Sequence, residues 1–375
     1  MVSTIHWTEA RTTRSARWHS ENATPPPGRV IVADDRFKAD TAYRLACEGT
    51  ALLWQGDYHN ARQLLQAMRR RVERKSPRPG DDPLESFHLH RRARSHRARV
   101  LGRLLVLLED GYALNLRRAP DVRQACVEAY GPPREPTAIS LIELLGVLGA
   151  HQWRLKGVRV PALGARIHPH YGVFSPVRGE YVDLVAEAPL PAPAVRRTAF
   201  DLGTGTGVLA AVLARRGFER VTATDISPRA LACARDNVRR LGLAARVEVA
   251  GPHLFPEGRA DLIVCNPPWI PARPTSQLEH GVYDPDGGML HGFLHGLASH
   301  LTPGGEGWLI LSDLAEHLGL RTRWQLLTGI EAAGLRVVDK ADTRPRHPRA
   351  TDTADPLHAA RGAEVTSLWR LAVVG

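Results

Sequence analysis

Two patterns of apolar residues divide this 375-residue chain. Before about Lys156 they recur at helical spacing; after Pro161 short apolar runs alternate with amphipathic ones. In the first part, Leu52, Leu53, Leu64, Leu65 and Met68 trace one helical face. Leu84–Leu116 predicts one or two more helices and Ala138–Trp153 a buried one, with breaks at "SPRPGDDP" and "GPPREPT". Residues 1–35 are polar, contain "TPPPG" and predict a loose arm. Residues 36–155 are therefore expected to form a helical domain, taken as the part that recognises the substrate.

Beyond Pro161, "TAFDLG", "RVTATDI", "RVEVAG", "ADLIVCN", "EGWLILSD", "RVVDKAD" and "EVTSLWRLAVV" read as seven strands. Helical stretches separate most of them, so residues 156–375 predict an α/β domain on a mostly parallel sheet. The last two strands are joined by a long segment, residues 342–364, read as extended. Ligands of such sheets bind outside the C-terminal strand ends, and the residues there become the candidates.

Composition changes this picture little. No apolar run is long enough to cross a membrane, and the N-terminus lacks the apolar stretch of a signal peptide. Four scattered cysteines form no CxxC pair, so neither a disulfide framework nor a metal site is expected. The expected location is cytoplasmic. The net charge of +11 rests on arginine, with only four lysines among 50 basic residues, as in GC-rich bacterial genomes. Eleven basic residues against four acids lie between Arg69 and Arg99, either a solvated helix face or a nucleic-acid contact.

The first strand of the α/β domain runs into "FDLGTGTGVLA". Gly203, Gly205 and Gly207 let the backbone turn tightly and approach a ligand closely. A dinucleotide fingerprint would place its last glycine at 208, which is Val208. The next strand ends in Asp225, whose carboxylate can accept from both hydroxyls of a ribose.

The fourth strand stops at "NPPW". The prolines fix φ and remove donors, leaving the Asn266 side-chain oxygen and the Pro267 carbonyl as acceptors for a planar N–H₂ group. Pro268 lines the same turn, and Trp269 offers a flat face on which that group could stack.

The glycine loop, Asp201 before it, Asp225 and Asn266-Pro267-Pro268-Trp269 together resemble the class I S-adenosylmethionine-dependent methyltransferases with an [N/D]PP[Y/F/W] motif. Among these the chain is most similar to the release-factor glutamine N-methyltransferases, through "NPPWIPA", "VYDPDGGML" and "YGVFSPVRGEYVDLV". The resemblance implies a seven-stranded Rossmann-like methyltransferase sheet and S-adenosylmethionine as cofactor. Asp201, the three glycines, Asp225, His253 and Asn266 would then hold the cofactor. His253 stands where an adenine-side acid is expected. Asn266, Pro267 and Trp269 would be catalytic, and Phe174, Pro268, Trp269, Glu279 and Asp284 would line the acceptor site.

Glu279 and Asp284 lie in an acidic loop, Pro271–Met289, suited to a cationic acceptor. His168 and His170 have a metal-like spacing but no partner cluster. The expected activity is N-methylation of an amide, amidine, guanidine or exocyclic amine on a small molecule or protein side chain. A base amino group of rRNA, tRNA or DNA is the alternative acceptor. A nicotinamide-dependent oxidoreductase is the rival enzyme class.

Overall fold

The computed structural model describes residues 3–74, 80–190, 197–274, 278–346, 352–353 and 355–375. The chain divides into two compact units, Met1–Pro79 with His88–Gln152, and Gly80–Phe87 with Trp153–Gly375.

The first unit is not a helical bundle. Its elements are β1 (Thr4–Glu9), β2 (Thr12–Trp18), β3 (Val30–Ala33), α1 (Ala39–Cys47), β4 (Ala51–Trp54), α2 (Tyr58–Glu73) and α3 (Pro83–Leu101). Then follow β5 (Leu104–Leu108), α4 (Arg123–Tyr130), β6 (Thr137–Ser140) and α5 (Leu141–Lys156). The strands form a six-stranded sheet in the order β1-β2-β6-β5-β4-β3, with β3, β4 and β5 mutually parallel. Leu52 and Leu53, assigned from sequence to a helical face, are buried in β4. A strand buried on both faces is a continuous apolar run, which periodicity cannot tell from a buried helix. Leu64, Leu65 and Met68 do lie on a helix, α2, whose buried face also includes Ala61 and Val72.

Residues 1–35 are not a loose arm either. β1 and β2 pair antiparallel, with Ile5 opposite Ala16 and Trp7 opposite Arg14. Ile5, Trp7, Ala16 and Trp18 are buried. The hairpin turns at Ala10 and Arg11, both at positive φ (46° and 67°). That turn geometry favours Asn-Gly, so Ala-Arg gives the sequence no hairpin signature.

In the second unit a small antiparallel pair, β7 (Val158–Val160) and β8 (Ala165–Ile167), precedes α6 (Glu180–Glu187). The main sheet then alternates β9 (Thr198–Leu202), α7 (Val208–Arg215), β10 (Arg220–Thr224), α8 (Pro228–Arg240), β11 (Val247–Ala250) and β12 (Ala260–Cys265). It continues through α9 (Gly288–His300), β13 (Leu301–Ser312), α10 (Leu314–His317), α11 (Arg323–Ala332), β14 (Leu335–Thr343), α12 (His358–Ala363) and β15 (Thr366–Val373). The seven strands lie in the order β11-β10-β9-β12-β13-β15-β14, parallel except for β15, which runs against both neighbours. The segment before β15 contains α12 and is not wholly extended as expected. Its Leu357 and Ala360 bury against Ile270, Leu314 and Leu318, which gives those residues a helix's reason to form.

From β9 the chain steps outward to β10 and β11, then returns to place β12 on the other side of β9. The order reverses between β9 and β12, and a crevice forms at the C-terminal ends of strands on either side of such a reversal. One strand carries the glycine loop and the other carries NPPW. Buried side chains cover both faces of this sheet, Val208–Ala214 and Phe218 on one side and Phe293, Leu294 and Leu297 on the other.

Candidate functional site

Asp201, next to last in β9, is fully buried. Its Oδ2 accepts from Thr204 Oγ1 at 2.6 Å and from Ala210 N at 2.9 Å. It therefore satisfies one of the unpaired N–H groups in the first turn of α7. Oδ1 is buried with no hydrogen-bond partner among the described residues. Burial pushes this carboxyl up to about 6, against the opposing pull of the two hydrogen bonds.

The three loop glycines all have positive φ, at 69°, 54° and 81°, but different surroundings. A Cβ at Gly203 would lie 2.3 Å from Met289 Cε, and one at Gly207 would lie 3.2 Å from Ala234 Cα. Gly207 thus lets the start of α7 pack on α8. A Cβ at Gly205 would meet nothing within 4 Å, so the loop opens there. Gly205 N donates to Asp225 Oδ2 at 3.0 Å and Ser227 N to Oδ1 at 2.8 Å. Burial raises the Asp225 pKa and these backbone donors oppose the rise. A carboxylate offers about four acceptor sites, so the backbone donors of Gly205, Ile226 and Ser227 leave capacity for a further donor. Ile226 beside it is 74% exposed, an apolar surface suited to a flat ring. Ile226 was not among the residues expected from sequence; its one signal is a large apolar residue directly after a strand-end acid. His253 is exposed on the turn after β11, and Leu254 O ties that turn to β10 by accepting from Thr224 Oγ1 at 2.6 Å.

β12 delivers Asn266-Pro267-Pro268-Trp269 beside this loop, because Cys265 pairs with Leu202. Pro267 is buried, while Asn266, Pro268 and Trp269 are half-buried. Trp269 does not simply offer an open face. Its Nε1 donates to Asn266 Oδ1 at 2.9 Å, and Arg178 Cζ lies 5.1 Å from its ring centroid. It also packs against the buried clusters of both sheet faces.

The acidic loop folds back on the residue after NPPW. Ile270 N donates to Val282 O and Asp284 N to Ile270 O, both at 3.0 Å. Asp284 Oδ2 accepts from Met289 N at 2.7 Å, which anchors the start of α9. Phe174 packs on Gly281, where a Cβ would be 2.8 Å from the Phe174 Cβ. Glu279 is half-buried and sits in a 3-10 turn, Leu278–Gly281. Residues 275–277 of the loop lie outside the described residues.

The two histidines are built into the scaffold. Asn237 Oδ1 accepts from His168 N at 2.7 Å, and His168 Nδ1 meets Arg154 O at 2.7 Å. His170 Nε2 lies 2.9 Å from Asp236 Oδ2. In the arginine cluster, Arg71 pairs with Asp40 at 2.7 Å and Arg97 with Glu73 at 3.2 Å. His88, Arg91, Arg92, Ser95, His96 and Arg99 line an open hollow of about 480 Å³ on α3. Lys75 and Arg78 lie outside the described residues. No described helix is long and apolar enough to cross a membrane.

Residues 164–322 match the family model described as "Methyltransferase small domain". The release factor glutamine methyltransferase of Cereibacter sphaeroides is 38% identical over 154 residues, covering 37% of this chain and 52% of that protein. The protein of the same name from Moorella thermoacetica is 42% identical over 142 residues, covering 33% and 49%. The ribosomal protein L11 methyltransferase of Tolumonas auensis is 34% identical over 137 residues, covering 36% and 46%. The chain spans about half the length of the curated relatives it matches.

Proposed function

We propose that this chain, a methyltransferase over residues 164–322 with S-adenosylmethionine as its cofactor, methylates a planar nitrogen of a protein side chain or small molecule. The observation that carries this reading is the pairing of β9 with β12, which sets the glycine loop and NPPW side by side at the strand reversal. When bound, the cofactor supplies a methyl group on a positively charged sulfur, open to attack by a nitrogen lone pair.

The residues present fit that cofactor. The unpaired Oδ1 of Asp201 is a buried acceptor for an ammonium group, reached directly or through a water. The open space at Gly205 admits the ligand's backbone, the spare lone pairs of Asp225 suit ribose hydroxyls, and Ile226 suits the purine face. On the acceptor side, Asn266 Oδ1 and the Pro267 carbonyl hold the two N–H bonds of an amide, amidine, guanidine or exocyclic amine. That grip turns the nitrogen lone pair out of conjugation and toward the methyl carbon, by positioning and electrostatics. The methylated nitrogen would give up one proton to solvent, and the cofactor would leave as the uncharged thioether.

A relative named for a release-factor glutamine and one named for ribosomal protein L11 support a protein acceptor. The cationic hollow on α3 favours a second reading, a nucleic-acid base amine. A tritiated-methyl transfer assay on extract of a strain lacking the gene separates them: label should fall in protein or small metabolites. Label mainly in nucleic acid makes the second reading correct. Calorimetry should show S-adenosylhomocysteine binding and no NAD binding; the reverse would assign the site to a nicotinamide-dependent oxidoreductase.

A further inference from the structure

We propose that Arg178 is a positioning residue: held by Glu180 and Glu364, it braces the Trp269 ring and, through the indole N–H, sets which way the Asn266 amide faces. The inference rests on the reading of Asn266 as the grip on the acceptor nitrogen.

An asparagine amide carries an acceptor on one arm and two donors on the other. Turned over, Asn266 would confront an acceptor N–H₂ with its own N–H₂ and could not hold it. An indole N–H is only a donor, so its 2.9 Å contact requires the amide oxygen on that side. A second lone pair of the same oxygen is then left for the acceptor N–H. A phenylalanine at this place would leave the amide orientation unset.

The indole must itself be held for this to work. Arg178 Nε donates to Glu180 Oε1 at 2.9 Å and its Nη2 to Glu364 Oε1 at 3.0 Å. Ser312 Oγ donates to the same Glu364 oxygen at 2.7 Å. Glu180 and Glu364 are 4% and 2% exposed. Burial works against the Arg178 charge, but the Glu364 and Glu180 carboxylates outweigh it and hold the pKa above the ordinary value. The guanidinium is thus fixed by a two-armed clamp while its Cζ stays 5.1 Å from the ring centroid. A lysine ammonium offers no such fork. Glu364 directly follows α12, so this clamp also gives the segment before β15 a part in the site.

The test compares Arg178→Met, Arg178→Lys, Trp269→Phe and Asn266→Ala with the full-length wild type. The rate of tritiated-methyl transfer into extract of a strain lacking the gene is measured at saturating cofactor, beside S-adenosylhomocysteine affinity and Tm. Arg178→Met and Trp269→Phe should each lower the rate about tenfold or more, with affinity changed less than about twofold. Combined, they should cost no more than the worse of the two, because they break one chain of contacts. Arg178→Lys should fall between Arg178→Met and wild type. If Arg178→Met fails to fold, Arg178→Lys carries the test together with Trp269→Phe, which keeps one six-membered ring and removes the pyrrole ring with its N–H. Near wild-type rates for Trp269→Phe and Arg178→Lys, or losses that multiply in the double variant, overturn the positioning role. An active Asn266→Ala overturns the reading of Asn266 itself.

Discussion

A carboxyl that is fully buried, bonded on one oxygen only and pushed up to about 6 changes charge within an ordinary assay range. For Asp201 the sign differs between folding and binding. Its folded pKa is raised, so its contribution to stability is present at low pH and lost as pH rises through about 6. The proposed contact with the cofactor's ammonium group needs the ionised form, so cofactor binding should move the other way. S-adenosylhomocysteine should bind about tenfold more weakly at pH 5 than at pH 7.5, and Asp201→Asn should bind weakly at both. A flat wild-type profile in calorimetry would remove Asp201 from the cofactor site. The glycines divide similarly. Gly207→Ala meets Ala234 and a positive φ and should lose about 1–3 kcal/mol of stability. Gly205→Ala has space on the protein side and should lose cofactor affinity more than Tm. At this scale much was legible, because a strand-end acid or a glycine run announces itself in one dimension. The approach of Arg178 to the Trp269 ring and the Trp269 hydrogen bond to Asn266 were not, because they exist only once the fold brings these residues together.

Elements at the site are tied together by buried polar side chains, and Asn237 on α8 shows how. Its Nδ2 donates to Thr206 O at 3.0 Å and to His168 O at 3.2 Å, and its Oδ1 accepts from His168 N. One side chain thereby links α8, the glycine loop and the segment leaving β8. Asn237→Ala strands these buried groups and should cost about 2–4 kcal/mol, read as a lower denaturant midpoint with weaker S-adenosylhomocysteine binding. An unchanged midpoint would show that water replaces the amide at no cost. The alternation of β9 to β12 with α7 and α8 was plain from sequence, because each strand is short and each helix amphipathic. The strands of the first unit were not. Val30–Ala33, Ala51–Trp54 and Leu104–Leu108 are apolar throughout, and neither their length nor their period excludes a helix. Helix α12 was missed because only two buried residues, Leu357 and Ala360, hold it in place.

Across the whole molecule, the unit that carries the site draws on a distant piece of sequence, Gly80–Phe87. Phe87 is 2% exposed and belongs to the same buried cluster as Ile270, Leu314 and Leu357. Phe87→Ala should destabilise that cluster by about 3–5 kcal/mol, visible in chemical denaturation; a loss below 1 kcal/mol would place Phe87 outside the core. A cut before Lys156, the boundary expected from sequence, removes this residue, and only the folded chain reveals the cost. The first unit remains the proposed seat of acceptor recognition, while the second is proposed to hold cofactor and chemistry. The central claim is that Asn266 grips the nitrogen that receives the methyl group. Its most direct test is tritiated-methyl transfer from S-adenosylmethionine into extract of a strain lacking the gene, with wild type and Asn266→Ala side by side. The account predicts transfer by the wild type, a loss of about a hundredfold or more in Asn266→Ala, and S-adenosylhomocysteine affinity within about threefold of wild type. Transfer by Asn266→Ala at the wild-type rate would contradict it.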